Sequence, residues 1–243
     1  MVKLKTIYDL EKINYNLKLI NTTNYLKRNN DFQLPIINEE VFKYLFIKYN
    51  LYFKTIISKI FNIELNYIIN SYVIIDDSFN YMRYEPNKPV IDIFIVSSNI
   101  SSNYNNKLLT SNNSYIFRFE LNEYLILNNV KIGYTSIVLQ IYEENNIFLI
   151  EKYAYSDYKT GKIIKNTPLT TYVSLKKLNN DNSWLTKALK LLTSISISYS
   201  YELAGNNEIL LNIVKLIENY SNKPMNLLIL DDMLHVLATN NYW

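Results

Sequence analysis

The sequence contains no cysteine, only three glycines and a single histidine among its 243 residues. The absence of cysteine excludes disulfide bonds and thiolate metal sites. With three glycines, the glycine-rich loops that bind phosphate in nucleotide-binding proteins cannot be assembled. A single histidine excludes a histidine-rich metal site, although carboxylates could still hold a cation. We therefore predict no cofactor, no metal site and no catalytic residue.

Long hydrophobic runs and a strong charge excess are also missing. No apolar run approaches the roughly 20 residues that a membrane helix needs. Charged and apolar residues alternate at the N-terminus, so we expect no signal peptide. The formal net charge is +3, from 25 basic and 22 acidic residues, whereas nucleic-acid binders are usually more basic or carry arginine clusters. Neither a membrane nor a nucleic acid is predicted as a partner.

Tyrosine is the residue type whose abundance stands out. Asparagine, isoleucine and lysine are also frequent, as an AT-rich genome would produce, but 23 tyrosines against 10 phenylalanines exceed that bias. A tyrosine ring is apolar with a polar tip, which suits surfaces that become interfaces. The hydrophobic content of 49% provides an ample core. These features predict a soluble α+β protein that contacts other molecules.

The first twenty residues have the spacing of a helix with two apolar stripes. One stripe begins at Leu4 and ends at Leu19, and the other, on the opposite side, begins at Leu10 and ends at Ile20. Two apolar faces require burial on both sides, either in the core or between molecules. The following segment, as far as Pro35, is polar and irregular. We therefore expect residues 1–22 to form a projecting helical arm and residues 36–243 to form the core of one domain.

Three further helices are predicted from apolar spacing and capping residues. The first begins after Asn38 and continues without interruption to about Phe61. The second begins near Trp184, with Gly205 as its stop, although residues 194–201 also alternate like a strand. The third covers residues 207–220.

Strands are predicted where β-branched and aromatic residues concentrate between turn-forming residues. The main segments are Tyr67–Ile75, Val90–Ser98, Ser114–Leu121, Tyr134–Glu143, Asn146–Tyr155 and Thr170–Leu175. Two short apolar segments near the C-terminus, residues 226–230 and 233–238, are also predicted strands. Together with the helices, these segments predict an α+β fold.

Two acidic residues lie in predicted strands in a pattern typical of restriction-type nucleases. Asp92 in VIDIF and Glu120 in FRFELNEY could hold a divalent metal on adjacent strands. However, Asn122 occupies the position where such nucleases carry a lysine. The simpler interpretation is that Asp92 lies on the solvent-exposed face of a half-buried strand.

The single histidine offers a second, weaker catalytic hypothesis. His235 lies in an apolar run, which favours a satisfied core or surface residue over a catalytic base. A metal-free ribonuclease would need it to form an acid–base pair with Glu11 or Asp9. Nothing in the sequence brings these residues together.

Four collinear segments resemble viral polyhedrins, the proteins of insect-virus occlusion bodies. YEPNKPVIDIFIVSSNIS and the preceding DDSF resemble the central strand region of these proteins and its approach. INEEVFKYLFIKY resembles an early helix of the cypovirus members, and NEILLNIVKLIEN resembles a late segment of the baculovirus members. The segments cover about a third of the chain. The lack of cysteine departs from baculovirus members that form disulfides between molecules.

This resemblance implies an antiparallel β-sandwich with helices, assembled as trimers that reach neighbouring molecules with a helical arm. It implies a structural protein, not an enzyme, whose partners are further copies of itself and the virions embedded in the lattice. The occlusion body would form inside the infected cell and dissolve above about pH 10, where tyrosine and lysine titrate. The alternatives are a nuclease and an interaction subunit of a virus or organelle.

Overall fold

The computed structural model has an α+β fold. It describes residues 26–27, 29–75, 88–96, 115–140, 149–164, 168–178 and 181–222. The predicted arm (residues 1–22), His235 and the two strands predicted after residue 225 lie outside these described residues.

A six-stranded sheet forms the centre of the fold, with strand order β1-β3-β2-β6-β8-β7. A separate two-stranded sheet, β4-β5, is inserted between β3 and β6. The strands are β1 (Ile68–Ile75), β2 (Val90–Val96), β3 (Tyr115–Leu121), β4 (Leu125–Leu127), β5 (Val130–Ile132), β6 (Tyr134–Gln140), β7 (Ile150–Ala154) and β8 (Leu169–Ser174). Each of the six main predicted strands is confirmed, with ends that differ by a few residues.

Strand directions in the large sheet are mixed. β1 with β3, β3 with β2, and β7 with β8 pair antiparallel, as predicted. β2 with β6 and β6 with β8 pair parallel, so the antiparallel prediction is wrong for these two contacts. Alternating apolar residues reveal a strand's two faces but not its neighbours or their direction. In the described part of the chain, helices and not a second large sheet pack on the apolar face.

The helices lie before and after the strands in sequence. They are α1 (Glu39–Lys48), α2 (Asn50–Phe61), α3 (Trp184–Thr193), α4 (Ile197–Ala204) and α5 (Glu208–Ser221), with short 3₁₀ turns at Leu65–Tyr67 and Leu175–Lys177. The single helix predicted from Asn38 to Phe61 is wrong, because Tyr49 has φ −148° and ψ 63° and separates α1 from α2. In residues 194–201, whose sequence alternates like a strand, the structure forms the first part of helix α4 from Ile197 onward.

Side-chain caps explain where several helices begin. Asn38 accepts hydrogen bonds from the backbone N–H groups of Glu40 and Val41 at 3.1 and 3.2 Å. Asn207 caps α5 in the same way through the N–H of Leu210. Gly205, with φ 52°, ends α4 in a conformation that favours glycine. These caps confirm the predicted helix starts after Asn38 and at Asn207.

The main hydrophobic core lies between the helices and one face of the large sheet. It extends along the chain from Leu34 to Ile217. Phe42 of α1 contacts Phe53 of α2 and Phe117 of β3, with ring centroids 4.4 and 4.5 Å apart. The fully buried Tyr52 donates a hydrogen bond of 2.6 Å to the carbonyl of Ala188, which links α2 to α3.

The opposite face of the sheet is buried at its middle strands and exposed at Tyr72 and Tyr153 of the outer strands, and its composition differs. A smaller apolar cluster forms there around Phe94, Ile116 and Val138, against which Ile74 and Tyr172 pack. It contains no residue of a described helix. Polar residues lie beside this cluster on the same face.

Candidate functional site

A row of polar side chains crosses all six strands on the face opposite the helices. The register aligns one residue of each strand with its neighbours along this row: Tyr72, Arg118, Asp92, Ser136, Thr170 and Tyr153. Aligned residues of adjacent strands project to the same side of a sheet. The row therefore brings together six polar groups that lie far apart in the sequence.

Asp92 and Arg118 form a bidentate ion pair at the centre of this row. The Nε and Nη2 atoms of Arg118 donate to the two carboxylate oxygens of Asp92, each at 2.7 Å. Asp92 is 0% exposed and Arg118 is 2% exposed. The interpretation of Asp92 as a solvent-facing residue is therefore wrong: it is on the face opposite the main core, but that face is buried at the position of Asp92.

Burial and pairing act on these two ionisable groups in opposite directions. Burial raises the pKa of Asp92, while the hydrogen bonds and positive charge of Arg118 oppose that increase. Burial alone would lower the pKa of Arg118, but Asp92 raises it further above its usual range. A carboxylate that faces two guanidinium donors at 2.7 Å is stabilised in its ionised form. Asp92 and Arg118 thus form a buried ion pair in which each charge neutralises the other.

Two tyrosines and a glutamate extend the ion pair into a network. Tyr134 hydrogen-bonds to Asp92. On the other side, Tyr72 interacts with Arg118 and donates a 3.1 Å hydrogen bond to Oε1 of Glu120. Burial and the contact with Glu120 raise the pKa of Tyr72. Tyr72 thus lies between a buried positive charge and a more exposed negative charge.

The two carboxylates of the nuclease hypothesis do lie on the same face of adjacent strands. In the pairing of β2 with β3, Glu120 is opposite Val90 and Asp92 is opposite Arg118. Arg118 uses both oxygens of Asp92, and Glu120 accepts from Tyr72. Over the described ranges, three or more acidic or histidine side chains do not gather as a metal-binding group. The geometry therefore places both carboxylates on one face of the sheet but pairs Asp92 with a cation of the protein itself.

The other predicted candidates do not join this network. Asn122 follows the end of β3, and its backbone N–H donates to the carbonyl of Tyr67 at 2.9 Å. Asp9, Glu11 and His235 are not among the described residues.

The sequence also contains a signal for Arg118 that is separate from the acidic pattern of Asp92 and Glu120. Arg118 is the single charged residue inside the apolar run YIFRF, as Asp92 is inside VIDIF. Opposite charges that each stand alone in an apolar strand seldom remain unpaired, because burying an isolated charge is costly. Pairing the two strands on this basis would have predicted the ion pair.

A second feature is a hairpin with exposed tyrosines, which we call the tyrosine hairpin (residues 153–164). It continues from β7, and Asp157 and Gly161 form its turn, with a hydrogen bond from the Gly161 N–H to the Asp157 carbonyl. Tyr155 is 60% exposed and Tyr158 is 100% exposed. Burying such rings against another molecule would be favourable.

Comparisons with protein-family models, curated proteins and solved structures found no match. Among the described residues, no helix has the length and apolar character needed to cross a membrane.

Proposed function

We propose that this chain is a structural protein that assembles with itself into the lattice of an insect-virus occlusion body. In this proposal the lattice embeds virions, protects them and dissolves at alkaline pH. Residues 1–22 reach neighbouring molecules as a helical arm, and the molecules associate as trimers. The mixed six-stranded sheet is one layer of a β-sandwich, with its polar row facing the second layer.

The observation that carries this proposal is the exposure of large aromatic and apolar side chains. The tyrosine hairpin carries three exposed tyrosines, Tyr153, Tyr155 and Tyr158, and Ile126 of the β4-β5 hairpin is also strongly exposed. Exposed side chains of this kind are typical of surfaces that contact other protein molecules. The resemblance of residues 84–101 to polyhedrins supports an occlusion body as the kind of assembly that we propose.

Tyrosine chemistry also supports dissolution in alkali. Tyrosines at contacts lose their hydrogen-bond donor and gain a negative charge when they ionise. Some tyrosines ionise at a higher pH than usual. A hydrogen bond from Tyr201 to Glu218 raises the pKa of Tyr201 to about 12. The pKa values of Tyr72 and Tyr199 are also raised, in each case mainly by burial. We therefore expect dissolution to begin above about pH 10 and to continue as these groups ionise.

Expression of the full chain in insect cells tests the proposal directly. We expect particles that sediment at neutral pH, scatter X-rays as a crystal and dissolve above about pH 10. A variant with both Tyr155→Ser and Tyr158→Ser should form far fewer particles. The variant Tyr199→Ser, which removes an exposed tyrosine from α4, is the matched control. A chain that stays monomeric at high concentration near neutral pH would overturn the proposal.

The nuclease remains a second candidate, favoured by the common face of Asp92 and Glu120. A metal-dependent nuclease would cleave DNA in the presence of Mg²⁺, and Glu120→Gln would abolish cleavage without unfolding the chain. If the purified protein shows such activity, the structural proposal is replaced by this one.

A further inference from the structure

The turn of the tyrosine hairpin carries two positive charges that no described residue neutralises. Lys159 and Lys162 are exposed, and neither forms an ion pair within the described ranges. The carboxylate of the same turn, on Asp157, accepts hydrogen bonds of 2.8 Å from both the N–H and the hydroxyl of Thr160. Asp157 therefore holds the turn together, while the lysines and the fully exposed Tyr158 beside them are presented to solvent.

A second surface, which we call the glutamate patch (Glu64, Tyr67 and Glu123), has the opposite charge. Both glutamates are exposed. The negative charge of Glu123 is the main cause that raises the pKa of Tyr67, and the charge of Glu64 acts in the same direction. Glu123 also hydrogen-bonds to the Tyr67 side chain. Two carboxylates thus lie near one tyrosine hydroxyl.

The described cations of this region have other contacts. Lys54 donates to the carbonyl of Ile68 at 3.5 Å, and the Nζ atom of Lys131 lies 5.8 Å from the ring centroid of Tyr124. Neither lysine forms an ion pair with the glutamate patch. The chain neighbours of the two glutamates are large and exposed, with Leu65 at 40% and Tyr124 at 51%. The patch therefore offers two uncompensated carboxylates beside apolar surface.

The two surfaces lie at opposite edges of the large sheet but at the same end of its strands. The tyrosine hairpin continues from β7, whereas the glutamate patch precedes β1 and follows β3. Five strand spacings, roughly 24 Å, separate β1 from β7. Ala154 of β7 is opposite Leu169, where β8 begins, and Glu120 of β3 is opposite Val90, where the parallel strand β2 begins. Both surfaces therefore extend from the end at which the parallel strands start.

We propose that the two lysines of the tyrosine hairpin bind the two glutamates of the glutamate patch on a second copy of this chain. This inference rests on the proposed self-assembly and names one of its contacts. A second copy is the occupant because one chain carries both halves of the contact, with two cations on one surface and two anions on the other. Such complementary charges orient partners and disfavour wrong pairings.

This contact has the symmetry that a trimer requires. In a cyclic trimer each molecule uses two different surfaces, one toward each neighbour. For a ring whose axis runs along the strands, these surfaces must lie at the same height and on different sides of the molecule. The tyrosine hairpin and the glutamate patch meet both conditions. The exposed rings and apolar side chains beside the charges would be buried in the same contact.

Charge reversal tests the contact from both sides. The hairpin variant combines Lys159→Glu with Lys162→Glu, and the patch variant combines Glu64→Lys with Glu123→Lys. In each variant like charges meet across the contact, so we expect at least about tenfold weaker self-association in sedimentation over a wide dilution series. A chain that carries all four changes has the original net charge and opposite charges across the contact again. We expect it to recover self-association.

The matched control makes the same charge change away from both surfaces. Lys48→Glu combined with Lys215→Glu reverses two exposed lysines of α1 and α5. We expect its self-association to equal that of the unmodified chain, and circular dichroism confirms that each variant is folded. A folded hairpin variant that associates normally would overturn the contact. So would a folded four-change chain that associates as weakly as the hairpin and patch variants.

Chemical cross-linking of the unmodified chain provides a readout that needs no variant. A carbodiimide activates a carboxylate, and a lysine in contact with it then displaces the activating group to form an amide bond. In a mixture of ¹⁵N-labelled and unlabelled chains, we expect such bonds to join the tyrosine hairpin of one chain to the glutamate patch of another. An associated sample whose intermolecular cross-links involve neither surface would overturn the contact.

Two outcomes separate this inference from the proposed function. Lattice particles that form equally well from the hairpin variant would overturn the contact and leave the lattice proposal standing. A discrete trimer with cross-links between the tyrosine hairpin and the glutamate patch, and with no larger particles at high concentration, would support the contact and overturn the lattice.

Discussion

At its middle strands the central sheet is buried on both faces, but different chemistry stabilises the two faces. The face toward the helices is packed with isoleucine and phenylalanine side chains such as Ile91 and Phe117. The opposite face combines a small apolar cluster with the ion pair of Asp92 and Arg118. Apolar packing is non-directional and tolerates small changes of shape, whereas a buried ion pair depends on both partners. The comparison shows that burial alone does not set a residue's sensitivity to substitution.

Breaking the ion pair should have the largest effect. Arg118→Met keeps much of the side-chain volume but leaves Asp92 buried without its cation. We expect the free energy of unfolding to fall by about 3–5 kcal/mol, because an uncompensated buried charge is costly. Urea denaturation followed by circular dichroism would measure the loss.

A double variant tests whether the loss comes from the unpaired charge or from the change of side chain. Asp92→Leu together with Arg118→Met removes both charges, and we expect it to recover most of the stability that Arg118→Met loses. If the double variant were instead as unstable as the sum of both single variants, the charges would not be coupled.

Cavity formation on the helix-covered face should have the next largest effect. Ile91→Ala removes a fully buried side chain of β2 and should cost about 3 kcal/mol. Ile74→Ala makes the same change on the opposite face, where Ile74 is only partly buried, and should cost less than half as much. Equal losses for the two variants would contradict the difference between the faces.

A smaller effect is expected from removing the hydrogen bond that links α2 to α3. Tyr52→Phe removes the hydrogen bond to the carbonyl of Ala188 but keeps the ring in place. The expected cost is about 1–1.5 kcal/mol, since the buried carbonyl loses one donor. Tyr199→Phe, at a half-exposed position on α4, should change stability much less, and thermal unfolding would compare the two.

The smallest predicted effect is a loss of stability at low pH, when the carboxylate of Asp31 becomes protonated. Asp31 lies outside the sheet. Burial alone would raise the pKa of Asp31, but hydrogen bonds from Ser198 and Ser196 at the start of α4 lower it overall. Because the folded pKa is below the unfolded one, ionised Asp31 stabilises the fold above about pH 4. That contribution is lost as the pH falls through the lower folded value.

Replacing this carboxylate tests the sign of the effect. Asp31→Asn should cost about 1 kcal/mol or less at neutral pH. Because the variant cannot lose this charge, the stability difference between the two chains should shrink below about pH 4. A difference that grew with acid would contradict the lowered pKa. Unfolding by urea at several pH values would measure it.

Local sequence patterns predicted the strands and helix caps well. The run VIDIFIV gives β2, and Asn38 begins α1 as its side chain suggested. These features depend on residues that are neighbours along the chain. The break at Tyr49 was not predicted, because the apolar spacing continues through it. The β4-β5 hairpin was also missed, although Asn128 and Asn129 form its turn with φ 48° and 63°, a conformation that asparagine tolerates.

By itself, the sequence determined the α+β class, the strand positions, the capped helix starts and the exclusion of disulfides and glycine-rich phosphate loops. These properties follow from periodicity and composition, which act over a few residues. The tertiary structure alone decided that β2, β6 and β8 are parallel, that Asp92 is buried, and that Arg118 neutralises it. Strand order and charge pairing join residues far apart in the chain, and their energies exist only once the sheet has formed.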